Sequence, residues 1–246
     1  MKLIKDIFAR IWATWALLVF VITMFIFYIP FLAFVYFKAE PQRTHRFISY
    51  SRVWMGTFLW LIGCPLKKRG LENFSKGKSY IVLCNHNSFL DIPVSSPAIP
   101  GGNKTIAKSE MAKVPVFSYI YKAGSVLVNR KSEASRKESY TKMKAVLSMG
   151  LHMCIYPEGT RNKSGEPLKS FHSGAFRLAK ETKTPVIPAL IFNTKKALPA
   201  SRTMYLLPHK LEIHFLPEMN AGEEETMDDF RQRVHRTMRD YFVDHS

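Results

Sequence analysis

The residues best able to do chemistry lie in the segment 84–91, Cys-Asn-His-Asn-Ser-Phe-Leu-Asp, where His86 and Asp91 stand five positions apart. The preceding run, residues 79–83, is apolar and β-branched, which predicts a buried strand. Asp91 followed by Pro93 is typical of a helix start, because aspartate caps helices and proline is tolerated in the first turn. His86 is therefore expected in a strand-to-helix turn, where open α/β sheets carry their active sites.

Across such a turn, Asp91 can fold back and accept a hydrogen bond from one imidazole nitrogen of His86. The other nitrogen then stays free and unprotonated, and it faces outwards as a general base. This is the base and orienting half of a catalytic triad, without a protein nucleophile. A structural histidine beside a capping aspartate fits the same two residues, so the pair alone does not decide between the two interpretations.

A second polar group, Pro157-Glu158-Gly159-Thr160-Arg161, follows a predicted strand. Gly159 can supply a positive φ in a sharp turn, so Glu158 and Arg161 are expected to point outwards at the same strand edge. The planar fork of Arg161 suits a phosphate monoester, and Glu158 can accept from a hydroxyl. A solvated ion pair on a surface turn is the alternative.

Apolar runs and helical patterns alternate from residue 65 onwards. The pattern predicts an α/β fold with a mixed, largely parallel sheet flanked by helices, forming a domain over residues 64–246. Its final amphipathic helix, about 226–243, is expected to serve packing. The predicted strands are 80–84, 104–107, 125–129, 152–156, 186–192 and 211–216, and the other predicted helices are 116–123, 132–149 and 174–182.

The N-terminus predicts a helical membrane anchor over residues 1–63. Residues 11–37 contain 27 positions without a charge, more than the roughly 20 that a helical span needs. A second apolar run, residues 53–62, is too short to cross, and its Trp54 and Trp60 suit a membrane interface. A single span would export the basic N-terminus, so we expect a re-entrant hairpin that bends near Pro30.

The formal net charge of +17 over 246 residues predicts anionic partners. The basic residues are scattered and no nucleic-acid-binding module surrounds them, so phospholipid or a phosphorylated substrate is favoured and nucleic acid is not expected as a partner. Three cysteines cannot all pair, and none of their spacings suits a metal. A reduced compartment is expected, with no metal site.

Taken together, four blocks of the sequence resemble those of the glycerolipid acyltransferases, and within that family the 1-acyl-sn-glycerol-3-phosphate acyltransferases. The resemblance covers about residues 65–192, and Tyr156, Asn129 and Asn162 depart from the usual pattern. The blocks are Asn85-His86 with Asp91, the segment from Lys108 through Gly124 to Arg130, Pro157-Glu158-Gly159-Thr160-Arg161, and Val186-Ile187-Pro188.

The resemblance implies a reaction and a site. His86 would be the base and Asp91 its orienting partner. Arg161, Lys108 and Arg130 would bind the acceptor phosphate, and Glu158 would help to position the glycerol. Gly159 and Thr160 would belong to the same substrate-binding segment. The acceptor would be lysophosphatidic acid and the donor acyl-CoA or acyl carrier protein, with no cofactor. The enzyme would sit on a phospholipid membrane, the bacterial inner membrane or its equivalent, with its catalytic domain facing the cytoplasm.

Two other classes of function compete with this one. An esterase would require a Gly-x-Ser-x-Gly elbow, to which Ser173-Gly174 is only a partial match. A non-enzymatic basic protein that binds anionic lipid or nucleic acid would explain the charge but not the ordered blocks. Within the enzyme class, glycerol 3-phosphate or another lysolipid remains an alternative acceptor.

Overall fold

The computed structural model describes residues 2–113, 117–129 and 131–246. Helix α1 (Lys2–Phe31) continues through a π-helical turn (Leu32–Tyr36), and α2 (Gln42–Leu61) follows. Helical structure thus extends past Pro30, and the chain reverses at residues 37–41, later than predicted. The π-helical turn begins two residues after Pro30, which is tolerated inside α1.

Helices α1 and α2 form an antiparallel pair. Near the start of α1, Trp12 Nε1 donates to the Ile62 carbonyl at 2.9 Å, and further along Trp54 Nε1 donates to Thr23 Oγ1 at 3.1 Å. The start of α1 thus lies beside the end of α2, and later residues of α1 lie beside earlier residues of α2, so the two helices run in opposite directions. The buried face of α1 is built mainly from small side chains, which let two helices approach closely: Ala9, Ala13, Ala16, Val19 and Thr23.

The outer face of α1 is apolar and exposed, as in Ile11, Ile22 and Ile29, which are 63%, 56% and 74% exposed. Within the described ranges, Lys2–Tyr36 is the one helical stretch long and apolar enough to cross a membrane. The interface prediction for Trp54 is wrong, because this side chain is only 5% exposed and packs between the two helices. Trp60, in contrast, is 73% exposed.

The described residues form one seven-stranded sheet in the order β1-β7-β6-β2-β5-β3-β4. All neighbouring strands are parallel except β6 and β7, so the predicted mixed, largely parallel sheet is confirmed. The strands are β1 (Leu66–Arg69), β2 (Ile81–Cys84), β3 (Asn103–Lys108), β4 (Ser125–Val128), β5 (His152–Ile155), β6 (Val186–Phe192) and β7 (Leu211–Phe215).

Helices cover both faces of the sheet. They are α3 (Asp91–Ala98), α4 (Phe117–Gly124), α5 (Glu133–Ser148), α6 (Gly174–Thr182), α7 (Thr194–Ala197) and α8 (Met227–His245). Side chains alternate along a strand, so β2 sends Val82 and Cys84 to one face and Ile81 and Leu83 to the other. The first face packs on α1, α2 and α3, and the second on α5, α6 and α8.

Six strands lie within a residue or two of the predicted runs, and the seventh, β1, was missed. Its sequence, Leu66-Lys67-Lys68-Arg69, is charged because the strand lies at the edge of the sheet and is mostly exposed. Edge strands commonly carry lysine, so apolar periodicity does not reveal them. The predicted final helix is confirmed as α8, with Phe230, Val234 and Met238 buried.

Candidate active site

The carboxyl ends of β2, β5 and β3 bring the predicted site residues to one edge of the sheet. The three strands are parallel and adjacent, in the order β2-β5-β3. His86 follows β2 by two residues, Pro157 follows β5 by two, and Lys108 ends β3. The first and third sequence blocks therefore meet because their strands are neighbours.

His86 and Asp91 are joined by the expected hydrogen bond, since His86 Nδ1 lies 2.8 Å from Asp91 Oδ2. The Asp91 carboxylate is fully buried, whereas the His86 side chain is 15% exposed. Nε2 of His86 has no hydrogen-bond partner among the described residues. A carboxylate on Nδ1 places the proton there and leaves Nε2 basic, so this nitrogen can take a proton from a bound hydroxyl.

Asp91 reaches backwards, not into its own helix. The residue before the helix is Leu90, which makes no side-chain cap. The same oxygen that meets His86 also accepts from the backbone N–H groups of Asn87 at 2.6 Å and Ser88 at 2.7 Å. Asp91 therefore does not cap its helix as expected, and its carboxylate instead links residues 86–88 of the preceding turn to the start of α3. Three donors hold the carboxylate, so the imidazole is anchored to a rigid turn.

Glu158 does not point outwards as expected. It is 2% exposed, and its two carboxylate oxygens accept from backbone N–H groups, one from His86 at 2.8 Å and one from Lys169 at 3.1 Å. The turn after β5 directs this side chain under the neighbouring turn, where two buried donors need an acceptor. Burial raises the pKa of Glu158, and the two N–H donors oppose that rise.

The third block also holds the other backbone group of His86, because the Asn162 N–H donates to the His86 carbonyl at 2.6 Å. Asn162 is itself buried, and its amide bonds to the loop at Ser164 and Glu166. Glu158 and Asn162 thus hydrogen-bond to the two backbone groups of His86, its N–H and its carbonyl. Losing either contact would leave a buried backbone group unpaired, at a cost of about 1–3 kcal/mol.

Tyr156 packs against one face of the His86 imidazole. Its ring stacks on the His86 imidazole with centroids 4.3 Å apart, and its hydroxyl lies 2.7 Å from Ser95 Oγ on α3. Burial, with a smaller contribution from Cys154, raises the pKa of Tyr156 well above its ordinary value, so the phenol stays neutral. The stack and the link to α3 restrict rotation of the imidazole.

Gly159 and Thr160 shape the turn beside the base. Gly159 has a φ of +70°, and a Cβ there would lie 2.7–2.8 Å from the His172 ring, so only glycine fits. Thr160 is exposed, and its Oγ1 accepts from Lys169 Nζ at 2.7 Å. The lysine ammonium is therefore held next to the turn that carries Arg161.

The Arg161 guanidinium lies over an apolar ring, with its Cζ 3.6 Å from the centroid of Phe89. Phe89 is 62% exposed and belongs to the His86 turn, so a planar cation and the base share one surface. Lys108 is exposed at the same sheet edge. The predicted phosphate contact Arg130 lies outside the described residues.

Comparison with known proteins agrees with this arrangement. Residues 65–192 match the family model described as Acyltransferase. A Caenorhabditis elegans relative is 32% identical over 209 residues, which cover 84% of this chain and 78% of that protein. The chain belongs to the acyltransferase family. The resemblance inferred from the motifs is confirmed, and the enzyme class with it.

Two further comparisons, one of sequence and one of structure, concern individual relatives of this acyltransferase. A coconut (Cocos nucifera) protein named 1-acyl-sn-glycerol-3-phosphate acyltransferase is 30% identical over 200 residues, 80% of this chain but 62% of the coconut protein. The crystal structure of the 1-acyl-sn-glycerophosphate (LPA) acyltransferase PlsC from Thermotoga maritima superposes with a TM-score of 0.76 at 22% identity, over 99% of this chain and 97% of the other. The fold is therefore that of the Thermotoga protein from end to end.

The acyltransferase site contains residues to which the sequence analysis assigned no role. Lys169 and Asn162 lie in the loop after β5 and touch the turns that carry Thr160 and His86. Asn85 pairs its amide with both backbone groups of Ile191 on β6, at 2.7 and 3.0 Å. In the described ranges, no three His, Cys, Asp or Glu side chains cluster as metal ligands.

Proposed function

We propose that this acyltransferase moves a fatty acyl group from an acyl thioester to the sn-2 hydroxyl of lysophosphatidic acid, giving phosphatidic acid for phospholipid synthesis. The observation that carries the proposal is the His86 Nδ1–Asp91 Oδ2 bond of 2.8 Å at an edge that also holds Arg161, while Nε2 has no partner among the residues that the structure describes. The name of the coconut relative, 1-acyl-sn-glycerol-3-phosphate acyltransferase, supports lysophosphatidate as the acceptor. The thioester would come from acyl-CoA or from acyl carrier protein.

The reaction needs no acyl-enzyme. His86 Nε2 takes the proton of the sn-2 hydroxyl while the hydroxyl oxygen attacks the thioester carbonyl. The new C–O ester bond forms, the C–S bond breaks, and the imidazolium returns the proton to the departing thiolate. Asp91 stays ionised and stabilises the imidazolium. Two substrates held in line can react directly, so the protein mainly supplies position and a base.

Arg161 is the principal contact for the acceptor phosphate in this proposal, with Lys108 and Arg130 as further cations. A guanidinium offers two parallel N–H groups to phosphate, and the contact with Phe89 keeps this one beside the His86 turn. In this proposal Glu158 positions the His86 backbone, whose N–H donates to Glu158 Oε1 at 2.8 Å, and its contact with the glycerol stays a prediction.

The direct test is an acyl-transfer assay on membranes that contain the full chain. Lysophosphatidate, glycerol 3-phosphate and lysophosphatidylcholine are compared as acceptors with the same acyl-CoA, and acyl carrier protein is compared as donor carrier. Lysophosphatidate should give the highest kcat/KM. Faster acylation of glycerol 3-phosphate or of the choline lysolipid would replace the proposed acceptor, and no transfer to any of the three would refute the function.

Arg161→Lys should raise the KM for lysophosphatidate more than the KM for the acyl thioester, by roughly tenfold, because the charge stays but the bidentate fork is lost. The matched control is Arg202→Lys, since Arg202 also lies over an aromatic ring, that of Tyr205, and pairs with Asp6. Equal changes in both KM values would point instead to a structural role for the Arg161 turn.

We further propose that residues 1–63 anchor the enzyme as a hairpin in the cytoplasmic leaflet, with the catalytic domain in the cytosol. Support comes from α2, whose Phe58 and Leu59 are buried in the same core cluster as the sheet residues Val82 and Ile187. Because α1 packs along α2, it stays beside the domain, whereas a free span would stand away from it. With α1 lying along the membrane, the cations before its apolar stretch (Lys2, Lys5 and Arg10) and those after it (Lys38, Arg43 and Arg46) would meet anionic headgroups on one surface.

A cysteine placed near the N-terminus tests this topology. Leu3→Cys should react with a membrane-impermeant maleimide only after cells are permeabilised, as should Lys163→Cys in the catalytic domain. The native Cys64, Cys84 and Cys154 are fully buried, so the unmodified chain serves as the blank. Labelling of Leu3→Cys in intact cells, with Lys163→Cys protected, would show a true span and end the hairpin model.

A further inference from the structure

A groove of about 260 Å³ lies between α2, β1 and α3. That volume is enough for a small polar group with part of an apolar chain. Two cations and several apolar side chains line it, among them Arg52, Met55, Leu59, Trp60 and Lys68, and no lining residue is acidic. Nothing in the acyl-transfer mechanism uses this groove.

Helix α3 forms one wall of the groove and contributes Pro93, Pro97 and Ala98 to it. Asp91, the first residue of this helix, does not line the groove. Neither His86 nor Arg161 lines it. A ligand here would therefore not compete with the acceptor for the catalytic residues.

Arg52 is fixed in the groove wall with part of its guanidinium unused. Nε donates to the Pro97 carbonyl at 3.0 Å, and Nη2 donates to the carbonyls of Ile99 at 2.7 Å and Gly101 at 3.2 Å. Nη1 has no hydrogen-bond partner within the described ranges. These carbonyls hold the side chain rigid but do not neutralise its charge, and burial lowers the pKa of Arg52.

Lys68 adds a second positive charge beside the first. Although Lys68 is exposed overall, partial desolvation lowers the pKa of its ammonium, and the like charge of Arg52 lowers it further. Its neighbour Arg69 is paired with Glu212 at 3.1 Å, but Lys68 has no carboxylate partner in the described part of the chain. Two adjacent cations without a counter-charge favour a bound anion.

Gly56 leaves the floor of the groove open. A glycine inside a helix costs about 1 kcal/mol relative to alanine, yet a Cβ at Gly56 would meet no atom within 4 Å. Packing within the protein therefore does not require glycine here. Beside it, Trp60 is 73% exposed, and Trp15 of α1 donates to the Leu61 carbonyl at 3.2 Å. The groove thus opens onto the apolar surface of the helical hairpin.

We propose that this groove binds one anionic phospholipid, with its phosphate at Arg52 and Lys68 and an acyl chain over Gly56 along Leu59 and Trp60. A soluble anion would leave the apolar wall exposed, and a neutral lipid would leave the two cations uncompensated. A phosphodiester carrying acyl chains satisfies both. The inference does not depend on the proposed acceptor, and it gives the hairpin a selective contact with anionic membranes.

Native mass spectrometry of the full chain in a neutral detergent tests the proposal, with phosphatidylglycerol and phosphatidylcholine as the lipid probes. The unmodified chain should retain one phosphatidylglycerol in preference to phosphatidylcholine. Lys68→Glu should weaken the retention about tenfold, because it reverses one of the two charges. The matched control is Lys67→Glu, which makes the same change on the opposite face of β1 and should bind as the unmodified chain does.

A second variant acts on shape instead of charge. Gly56→Leu places a side chain where the lipid would lie and removes a helix glycine, so it should reduce phosphatidylglycerol retention while the melting temperature stays the same or rises. Arg161→Gln should retain the lipid. The proposal is overturned if Lys68→Glu and Gly56→Leu both bind like the unmodified chain, if phosphatidylcholine is retained equally, or if only Arg161→Gln loses the lipid.

Discussion

Replacing His86 with alanine is expected to lower kcat for acyl transfer by roughly 10²–10⁴-fold or more. The imidazole has a fixed orientation, because Nδ1 is held by Asp91 and the ring is stacked on Tyr156. Its Nε2 has no hydrogen-bond partner in the described part of the chain. Without it, the sn-2 hydroxyl must lose its proton to water, which is a far weaker and unpositioned base. Single-turnover rates with saturating lysophosphatidate and acyl-CoA give the comparison directly.

The expected loss must come from chemistry and not from misfolding, so a second variant keeps the local contacts. His86→Asn retains an N–H donor for Asp91 but offers no base, and it should be as inactive as His86→Ala. The matched surface change His245→Ala, at the exposed end of α8, should leave kcat unaltered. Near-normal turnover by a well-folded His86→Asn would remove His86 from the role of base.

Much of the fold could be predicted because its strands are buried on both faces. The run Ile81–Cys84 is fully buried, and so is Val186–Phe192, so each reads as continuous apolar sequence between polar residues. Strand β1 was not predicted, because it lies at the sheet edge and forms its hydrogen bonds with β7 without burying most of its side chains. Trp54 was misplaced for the converse reason: an apolar helix face fits a membrane and a protein core equally well.

The site was predictable only as far as its local contacts extend. His86 and Asp91 are five residues apart, so a turn can join them, and this bond was expected. Glu158 meets the His86 backbone across 72 positions of sequence, a contact that exists because β2 and β5 are neighbours. The order of the strands depends on how the whole sheet packs, so it cannot be predicted from residue types alone. Glu158 was therefore placed on the surface when it is buried.

Asp91→Asn is expected to lower kcat by roughly 10²–10⁴-fold while the fold is retained. One Asp91 oxygen accepts three hydrogen bonds, from His86, Asn87 and Ser88. An asparagine can keep all three only with its carbonyl oxygen in that place, and the negative charge that stabilises the imidazolium is then lost. With the amide reversed, donors face donors and the imidazole turns away. In both cases Nε2 becomes a poorer base, so kcat should fall more than substrate KM changes.

The double variant decides whether Asp91 acts through His86. If its task is to orient and charge-stabilise the imidazole, then adding Asp91→Asn to His86→Ala should lower the residual kcat by less than about twofold, because residues that work as one unit are strongly non-additive. Asp228→Asn, an exposed aspartate in the first turn of α8, is the matched control for the loss of one carboxylate. A further hundredfold fall in the double variant would mean that Asp91 contributes independently, through the backbone of the turn at Asn87 and Ser88, and the base-and-orienter mechanism would have to be replaced.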